Sequence, residues 1–216
     1  MMYSASVASP MPPISGLAAR LREATHHAHR HAERSAFLRT LMRGQIRQGS
    51  YLGYLVALWH VYHALDEGLA RHVRHPVVGP FARPELARAA ALTADLAHLS
   101  VHDPADAPVS PVALDYAARL RRLAVDDPAL LIAHAYVRYL GDLSGGQLLR
   151  PAVARALGLA GPGLAFYAYP QIADLDACKR EFRSDLDAIP ETSASAIIGE
   201  ALHAFDLNGS LLADLT

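Results

Sequence analysis

The spacing of apolar residues is the feature that most limits the folds open to this chain. Between residues 51 and 69, large apolar side chains recur at intervals of four, three, four, three and four. They are Tyr51, Leu55, Leu58, Tyr62, Leu65 and Leu69. This spacing keeps them on one face of an α-helix and predicts a long helix that ends near Pro76. The alternation typical of strands is nearly absent from the chain, so the sequence predicts an all-α fold.

Further helices are predicted from apolar stripes and from residues that favour a first turn. A first helix over about residues 17–34 has a stripe of small and apolar residues, with Ser15 as a candidate cap. The stripe comprises Leu17, Leu21, Ala24, Ala28 and Ala32. Three residue pairs with proline predict later starts, namely Arg83-Pro84, Ser110-Pro111 and Asp127-Pro128. The first of these helices is expected to run on through Leu99.

A final helix is predicted from about Thr192, and a glycine-rich loop between Leu157 and Pro170 precedes the last two helices. The sequence shows no internal repeat and no domain linker. We therefore expect a flexible N-terminal tail over residues 1–15 and one domain over residues 16–216.

Composition excludes several classes of protein. The chain has 216 residues, 52% of them hydrophobic and 19% charged, with a formal net charge of −1, which argues against a nucleic-acid partner. A domain of this size buries roughly 70% of the surface of its unfolded chain, so it needs no metal or disulfide staple. Cys178 is the single cysteine. We find no signal peptide and no apolar run of the roughly 20 residues that cross a bilayer, and expect a soluble, cytoplasmic protein without a membrane partner.

Three glycines within six positions mark the helix that follows Pro128. They are Gly141, Gly145 and Gly146. Glycine inside a helix costs about 1 kcal/mol relative to alanine, so their presence needs a reason. Gly141 and Gly145 share a helical face, which allows a flat group to lie against the backbone, and the Gly145-Gly146 pair permits a kink.

The three glycines also fit other interpretations. Close packing of two soluble helices is a fair alternative, whereas packing within a membrane is excluded because the segment is too polar. Residues 143–147 also spell the signature of ATP-binding cassette proteins. Those proteins need a P-loop lysine, and the only lysine here, Lys179, lies between Cys178 and Arg180.

Residues 136–147, Tyr-Val-Arg-Tyr-Leu-Gly-Asp-Leu-Ser-Gly-Gly-Gln, closely resemble the distal-helix signature of haem oxygenases. The likeness extends from Leu17 to Leu212. Residues 21–33 resemble the family's proximal helix, and residues 163–172 match a further stretch. The resemblance implies a single-domain helical bundle that binds haem between a proximal helix and a kinked distal helix.

On the proximal side, the resemblance implies that His29 is the axial ligand of the haem iron through a neutral imidazole. Glu33, one turn later, can accept a hydrogen bond from the other ring nitrogen. The same helix carries His26, His27 and His31, and its apolar stripe would place His31 nearer the core than His29. The choice of His29 therefore depends on the resemblance.

On the distal side, the resemblance implies that Gly141 and Gly145 let the backbone approach the porphyrin. Asp142 is expected to order water molecules that deliver protons. Further matches to the family's haem pocket are Tyr62, Tyr136, Arg138, Phe205 and Asn208. Matches to the basic residues around the haem propionates are Arg22, Lys179 and Arg183, and the last two share a helical face.

The activity that the resemblance implies is oxidative cleavage of haem, at the α-meso carbon, to biliverdin, carbon monoxide and ferrous iron. Haem b would be both cofactor and substrate, and O2 the oxidant. Since no nucleotide or flavin motif is evident, electrons would come from a separate reductase or a ferredoxin. A biliverdin-accepting protein is a further candidate partner.

Two other functions stay open at the level of sequence. A haem carrier or sensor could use the same fold without turnover, although Asp142 argues against simple storage. A di-iron carboxylate bundle would use two Glu-x-x-His pairs, Glu23 with His26 and Glu200 with His203. Glu23 and both histidines, however, fall away from the apolar stripes of their helices.

Overall fold

The computed structural model describes residues 16–215, and within this range every regular element is a helix. The α-helices are α1 (Leu17–Glu33), α2 (Ala36–Met42), α3 (Gln48–Arg71), α4 (Ala89–His98), α5 (Pro111–Asp126), α6 (Leu131–Gly141), α7 (Gln147–Leu157), α8 (Leu175–Asp187) and α9 (Glu191–Asp214). The predicted all-α class is confirmed. The expected tail over residues 1–15 and the candidate cap Ser15 lie outside the described range. In that range, no helix has the length and apolar character needed to cross a membrane.

Helix α3 lies at the centre of the core. All six residues of its predicted stripe are buried, and so are Tyr54 and Val61, which lie off that stripe. This broad burial follows from the number of neighbours, because α3 packs against α4, α5 and α6. The predicted long helix is confirmed, and it ends at Arg71, five residues before Pro76.

Two of the helix starts predicted from proline pairs agree with the structure to different degrees. Ser110 caps α5 as expected, since its Oγ accepts a hydrogen bond from Val112 N at 3.0 Å. At Asp127-Pro128, the chain first forms a 3-10 turn, Pro128–Leu130, and α6 begins at Leu131. Proline therefore marks both starts, but the second is delayed by one tight turn.

The helix predicted to run from Arg83-Pro84 through Leu99 is wrong as a single element. Pro84–Leu86 forms only a 3-10 turn, and α4 begins at Ala89. The cap for α4 comes from α3, where Asp66 Oδ2 accepts hydrogen bonds from Arg88 N and Ala89 N, both at 2.8 Å. This capping group is distant in sequence, so local signals do not reveal it.

Helix α1 begins after Gly16 and is anchored by α8. Asp187 Oδ1 accepts a hydrogen bond from Ala18 N at 2.8 Å, and a side chain at residue 16 would clash with this carboxylate. Within the predicted stripe Ala24 is exposed, and the buried residue at this level is its neighbour Thr25. Thr25 is accommodated because its Oγ1 donates to Leu21 O at 2.7 Å.

Helix α9 contacts both helices that carry most of the predicted site residues, α1 and α6. It packs against α1 on one side and against α6 on another. The histidine-rich helix and the glycine-rich helix therefore share one long neighbour, which fixes their relative position.

Candidate active site

The glycine-rich segment forms a π-helical turn, Asp142–Gly146, between α6 and α7. Such turns widen a helix by one residue and are frequent at functional sites. At Gly146, an added Cβ would lie 3.5 Å from Tyr167 Cδ1, and Gln147 Nε2 donates to Tyr167 O at 2.9 Å. The expected irregularity at Gly145-Gly146 is therefore present, in the form of a π-turn against which Tyr167 packs.

Gly141 and Gly145 face open space. A Cβ built on either would meet no described atom within 4 Å. Gly68 behaves differently, because its Cβ would lie 3.1 Å from Leu131 Cδ1, as expected where two helices pack closely. The alternative that Gly141 and Gly145 serve close helix packing therefore finds no support among residues 16–215. Their face can instead accept a flat ligand that a side chain would displace.

Four of the predicted distal residues form one hydrogen-bonded network beside this face. Tyr62 OH donates to Asp142 Oδ2, and Arg138 Nε donates to Tyr62 OH at 3.2 Å. Arg138 also donates to Asn208 Oδ1 at 2.6 Å, and its Nη2 lies 3.7 Å from Asp142 Oδ1. The network therefore joins α3, α6, the π-turn and α9.

The carboxyl group of Asp142 is electrostatically unusual. Burial raises its pKa well above the ordinary aspartate value, because desolvation penalises the charged form. The Tyr62 hydroxyl and the Arg138 guanidinium fix its orientation. A carboxyl group in this state can hold a proton under conditions where a solvated aspartate has lost it.

Tyr136 does not join this network. Its hydroxyl lies 3.3 Å from Thr25 Oγ1, which links α6 to α1. Its ring packs beside a small buried cluster formed by Val137, Ala204 and Phe205. Tyr136 of α6 and Phe205 of α9 therefore lie close together, and Tyr136 also contacts α1.

His29 is exposed to solvent, and its side chain has two neighbours, Phe205 and Glu33. Its side chain is 55% exposed, its ring meets the Phe205 ring edge-on with centroids 6.0 Å apart, and Nδ1 lies 3.6 Å from Glu33 Oε1. With Nδ1 beside Glu33, Nε2 is the nitrogen that can bind a metal. His31 is also exposed, so exposure does not distinguish the two histidines.

The predicted basic residues lie on two adjacent helices. Lys179 Nζ pairs with Asp176 Oδ1 at 2.6 Å, and Arg183 Nη1 donates to Lys179 O at 3.3 Å, so both residues lie together on α8. Arg22 is exposed on α1, which packs against α8.

A second polar network, which the sequence did not reveal, lies in the core. His134 Nε2 lies 2.9 Å from Glu200 Oε1, and His134 Nδ1 lies 3.1 Å from Tyr116 OH. Arg119 Nη2 donates to Glu200 Oε2 at 2.6 Å. The only available signal was a histidine and a glutamate on apolar helices, and nothing in their spacing shows that they meet.

These contacts also argue against a di-iron centre. Glu200 is paired with His134 and Arg119, whereas the other proposed ligands, Glu23, His26 and His203, are exposed. In the described part of the chain, no three His, Cys, Asp or Glu side chains are grouped as a metal site requires.

The fold and the site together define an all-α, single-domain protein with an open glycine face next to a largely buried hydrogen-bonded network. A family model described as heme oxygenase matches residues 15–214, and the chain belongs to the haem oxygenase family. The chain is 36% identical over 205 residues to heme oxygenase 1 of Nostoc sp., covering 93% of this chain and 86% of that protein. It is 39% identical to human heme oxygenase 1, covering 92% and 71%.

Solved structures agree with this assignment. The haem oxygenase of Leptospira interrogans is similar with a TM-score of 0.88 and 39% identity, over 93% of this chain and all of that one. Heme oxygenase-1 of Synechocystis, solved in complex with haem, is similar with a TM-score of 0.87 and 34% identity, over 93% of this chain and 92% of that one.

Proposed function

We propose that this chain uses O2 and external electrons to open haem to biliverdin, carbon monoxide and ferrous iron. The observation that carries the proposal is the open face of Gly141 and Gly145 beside the Asp142 network. A flat ring fits where a Cβ would otherwise project, and a group that can hold a proton lies next to it. The haem carried by the Synechocystis relative supports haem as the ligand.

Haem would be held between α1 and the π-turn. His29 would bind its iron through Nε2, with Glu33 setting the ring orientation, while Gly141 and Gly145 face the opposite side. Arg22, Lys179 and Arg183 would pair with the propionates. Bound haem would supply both the iron at which O2 is reduced and the ring carbon that is oxidised.

The residues of the chain itself would orient the ligand and handle protons. Asp142 would hold a proton at its carboxyl group and release it through ordered water. Tyr62 would keep this carboxyl group in place by its hydrogen bond, and Arg138 would connect it to Asn208 on α9. A haem carrier or sensor needs no such arrangement, so the network favours turnover over storage.

Several finer points belong to the same proposal. We infer that electrons come from a separate reductase or a ferredoxin, and that a biliverdin-accepting protein takes up the product. The single cysteine suits a reducing cytoplasm as the place of action. The proposed site of ring opening is the α-meso carbon, on the basis of the basic residues on α1 and α8.

The test is to supply haem, O2 and a reductant and to record absorption spectra. We expect the Soret band to disappear and a biliverdin spectrum to replace it. The matched variants are His29→Ala and His31→Ala, since both histidines are exposed on α1. His29→Ala should lose activity and regain it with added imidazole, whereas His31→Ala should stay active. The reverse pattern would show that the ligand is assigned wrongly, and no biliverdin from the unmodified chain would refute the function.

A further inference from the structure

A buried arginine lies directly before α4, outside the distal network described above. Arg88 is 5% exposed, and burying a charged group is costly unless hydrogen bonds satisfy it. Its guanidinium donates to the three backbone carbonyls of residues 85–87, at distances from 2.8 to 3.2 Å. It also donates to Ala168 O at 2.6 Å and to Phe166 O at 3.5 Å. Its Cζ lies 4.0 Å from the centroid of the Tyr169 ring. Arg88 therefore ties the segment before α4 to residues 166–169.

Asp95, two helical turns further along, binds the same distant segment. It is fully buried, and its Oδ1 accepts a hydrogen bond from Ala165 N at 2.7 Å and its Oδ2 one from Phe166 N at 2.8 Å. The 3-10 turn Ala165–Tyr167 is thus held at its amides by a carboxylate and at its carbonyl side by the Arg88 guanidinium. We call Arg88 and Asp95 the α4 clamp.

The clamped turn contacts the distal site at two points. The Phe166 ring meets the Tyr62 ring edge-on, with centroids 5.7 Å apart. Gln147, the residue after the π-turn, donates from Nε2 to Tyr167 O at 2.9 Å. The clamped turn therefore touches both Tyr62, whose hydroxyl donates to Asp142, and the end of the π-turn to which Asp142 belongs.

A second connection reaches Tyr62 through another ring, that of Tyr139. The two rings are stacked with centroids 6.2 Å apart, and Tyr139 OH donates to Asp66 Oδ1 at 2.7 Å. Asp66 Oδ2 in turn accepts a hydrogen bond from Arg88 N at 2.8 Å. Arg88 is therefore linked to both of these rings, through its side chain to Phe166 and through its backbone to Tyr139.

These links matter because the hydrogen bond from Tyr62 to Asp142 depends on where the Tyr62 ring lies. Tyr62 is fully buried, so the side chains packed around it determine the position of its hydroxyl. The contacts of Arg88 and Asp95 lie in connecting segments and in α3. Their effect on Asp142 would therefore pass through Tyr62 and the π-turn.

We propose that Arg88 and Asp95 are positioning residues of the distal site. By holding the turn Ala165–Tyr167, they keep the Tyr62 hydroxyl and the π-turn in the arrangement that orients Asp142. The alternative is that they stabilise the fold as a whole and nothing more. The coupling of the α4 clamp to the π-turn is a property of the chain without haem, whereas its effect on turnover rests on the proposed function, so the two are tested separately.

The first experiment measures amide hydrogen exchange by NMR in the chain without haem. Arg88→Met keeps a long side chain that cannot donate. It should speed exchange in residues 165–167 and also in residues 142–146 of the π-turn. Relative to α5, the acceleration should be about tenfold or more, because charge-assisted hydrogen bonds are lost.

Arg83→Met is the matched control. Arg83 lies five residues earlier and pairs with Asp185 and Glu181 of α8, so both segments should exchange as in the unmodified chain. If Arg88→Met does not fold, Asp95→Asn makes the same test, because it keeps the shape of the side chain but replaces one accepting oxygen with a donor. An unchanged π-turn, or exchange that accelerates equally in α5, would overturn the proposal.

The second experiment measures haem binding and biliverdin formation. Phe166→Leu removes the ring contact with Tyr62 and keeps both buried charges. It should lower the rate of biliverdin formation severalfold and leave the haem dissociation constant unchanged. In a Tyr62→Phe background it should have little further effect, because the hydroxyl that it displaces is already absent.

A rate that stays unchanged, or that falls by the same factor in both backgrounds, would refute the positioning role in turnover. Failure of the unmodified chain to form biliverdin would count against the proposed function and leave the first experiment valid.

Discussion

Gly141 combines a cost in helix stability with a proposed role in binding. Gly141, the last residue of α6, occupies ordinary right-handed helical backbone next to the π-turn, and it is exposed. Alanine would suit that backbone better, and no described atom obstructs its Cβ. The needs of the fold therefore do not explain this glycine, which supports the proposal that a ligand approaches it.

This reasoning predicts opposite effects of Gly141→Ala on folding and on binding. Without haem, the substitution should raise the free energy of unfolding by up to about 1 kcal/mol, because alanine is the better helix former. Haem affinity should fall, because the added methyl group occupies the face where the ring would lie. Urea denaturation and a Soret titration measure the two effects.

Gly199→Ala on α9 is the matched control. Gly199 is also exposed, helical and without a described atom within 4 Å of its Cβ. It should stabilise the chain similarly and leave haem affinity unchanged. Equal haem affinity of Gly141→Ala and the unmodified chain would show that the open face is not the binding face.

At the scale of single residues, the sequence predicts where the backbone lacks side chains, but it does not predict the surroundings of buried tyrosine hydroxyls. The glycine spacing predicted a side-chain-free face, and the structure shows one. The apolar pattern contains Tyr51 simply as an apolar residue of α3, and it assigns no role to Tyr54 or Tyr167. A helical pattern records that a tyrosine ring is buried, but it carries no information on what lies near its hydroxyl.

At the scale of elements, the positions of helices depend on contacts that local patterns do not contain. Asp66 on α3 caps α4, and the His134–Glu200 pair joins α6 to α9. The sequence correctly predicted α3, α5 and α9 because their stripes or caps are local. It misplaced the start of α4 because the capping carboxylate is 23 residues away.

Glu200 should contribute to stability in a pH-dependent way. Burial alone would raise its pKa, but hydrogen bonds and charge from His134 and Arg119 outweigh it and lower the pKa to about 2. A depressed pKa gives stability that is present above the unfolded value of 4.5 and is lost as pH falls towards 2. Glu200→Gln should therefore lower the free energy of unfolding by roughly 3 kcal/mol at pH 7.

The difference between Glu200→Gln and the unmodified chain should shrink below pH 4.5 in urea denaturation curves. Glu191→Gln is the control, since Glu191 pairs with Arg20 at the surface and should change stability by less than about 1 kcal/mol. A difference that is equally large at pH 3 and pH 7 would show that Glu200 acts through packing and not through its charge.

At the scale of the whole molecule, the arrangement of helices determines how a ligand would be oriented. Helix α9 holds α1 and α6 in a fixed relation, while α8 places Lys179 and Arg183 beside α1. The resemblance predicted this bundle, but spacing alone did not, because nothing in a helical stripe states which helices become neighbours.

The orientation of the ring predicts the isomer of the product. The four meso carbons are chemically similar, so selectivity must come from the way haem is seated. Charge-assisted pairs with the propionates contribute on the order of 1.5–3 kcal/mol each, enough for at least a tenfold preference. We expect mainly the α isomer from the unmodified chain and mixed isomers from Lys179→Glu or Arg183→Glu, as separated by chromatography.

Arg180→Glu is the control for this prediction. Arg180 is exposed on the same helix, and its Nη2 lies 3.8 Å from Asp174 Oδ2. It should leave the isomer ratio unchanged. Mainly β or δ product from the unmodified chain would contradict the proposed seating.

The π-turn makes this region sensitive to chain length as well as to residue type. A π-turn accommodates one residue more than an α-helical turn of the same span. Deleting one residue from Asp142–Gly146 would therefore let α6 and α7 merge into one regular helix, with α7 close to its present orientation. Gln147 would then stay beside the Tyr167 carbonyl. A chain that lacked this single residue would keep its helices and its core, but it would lose the wide turn that begins at Asp142.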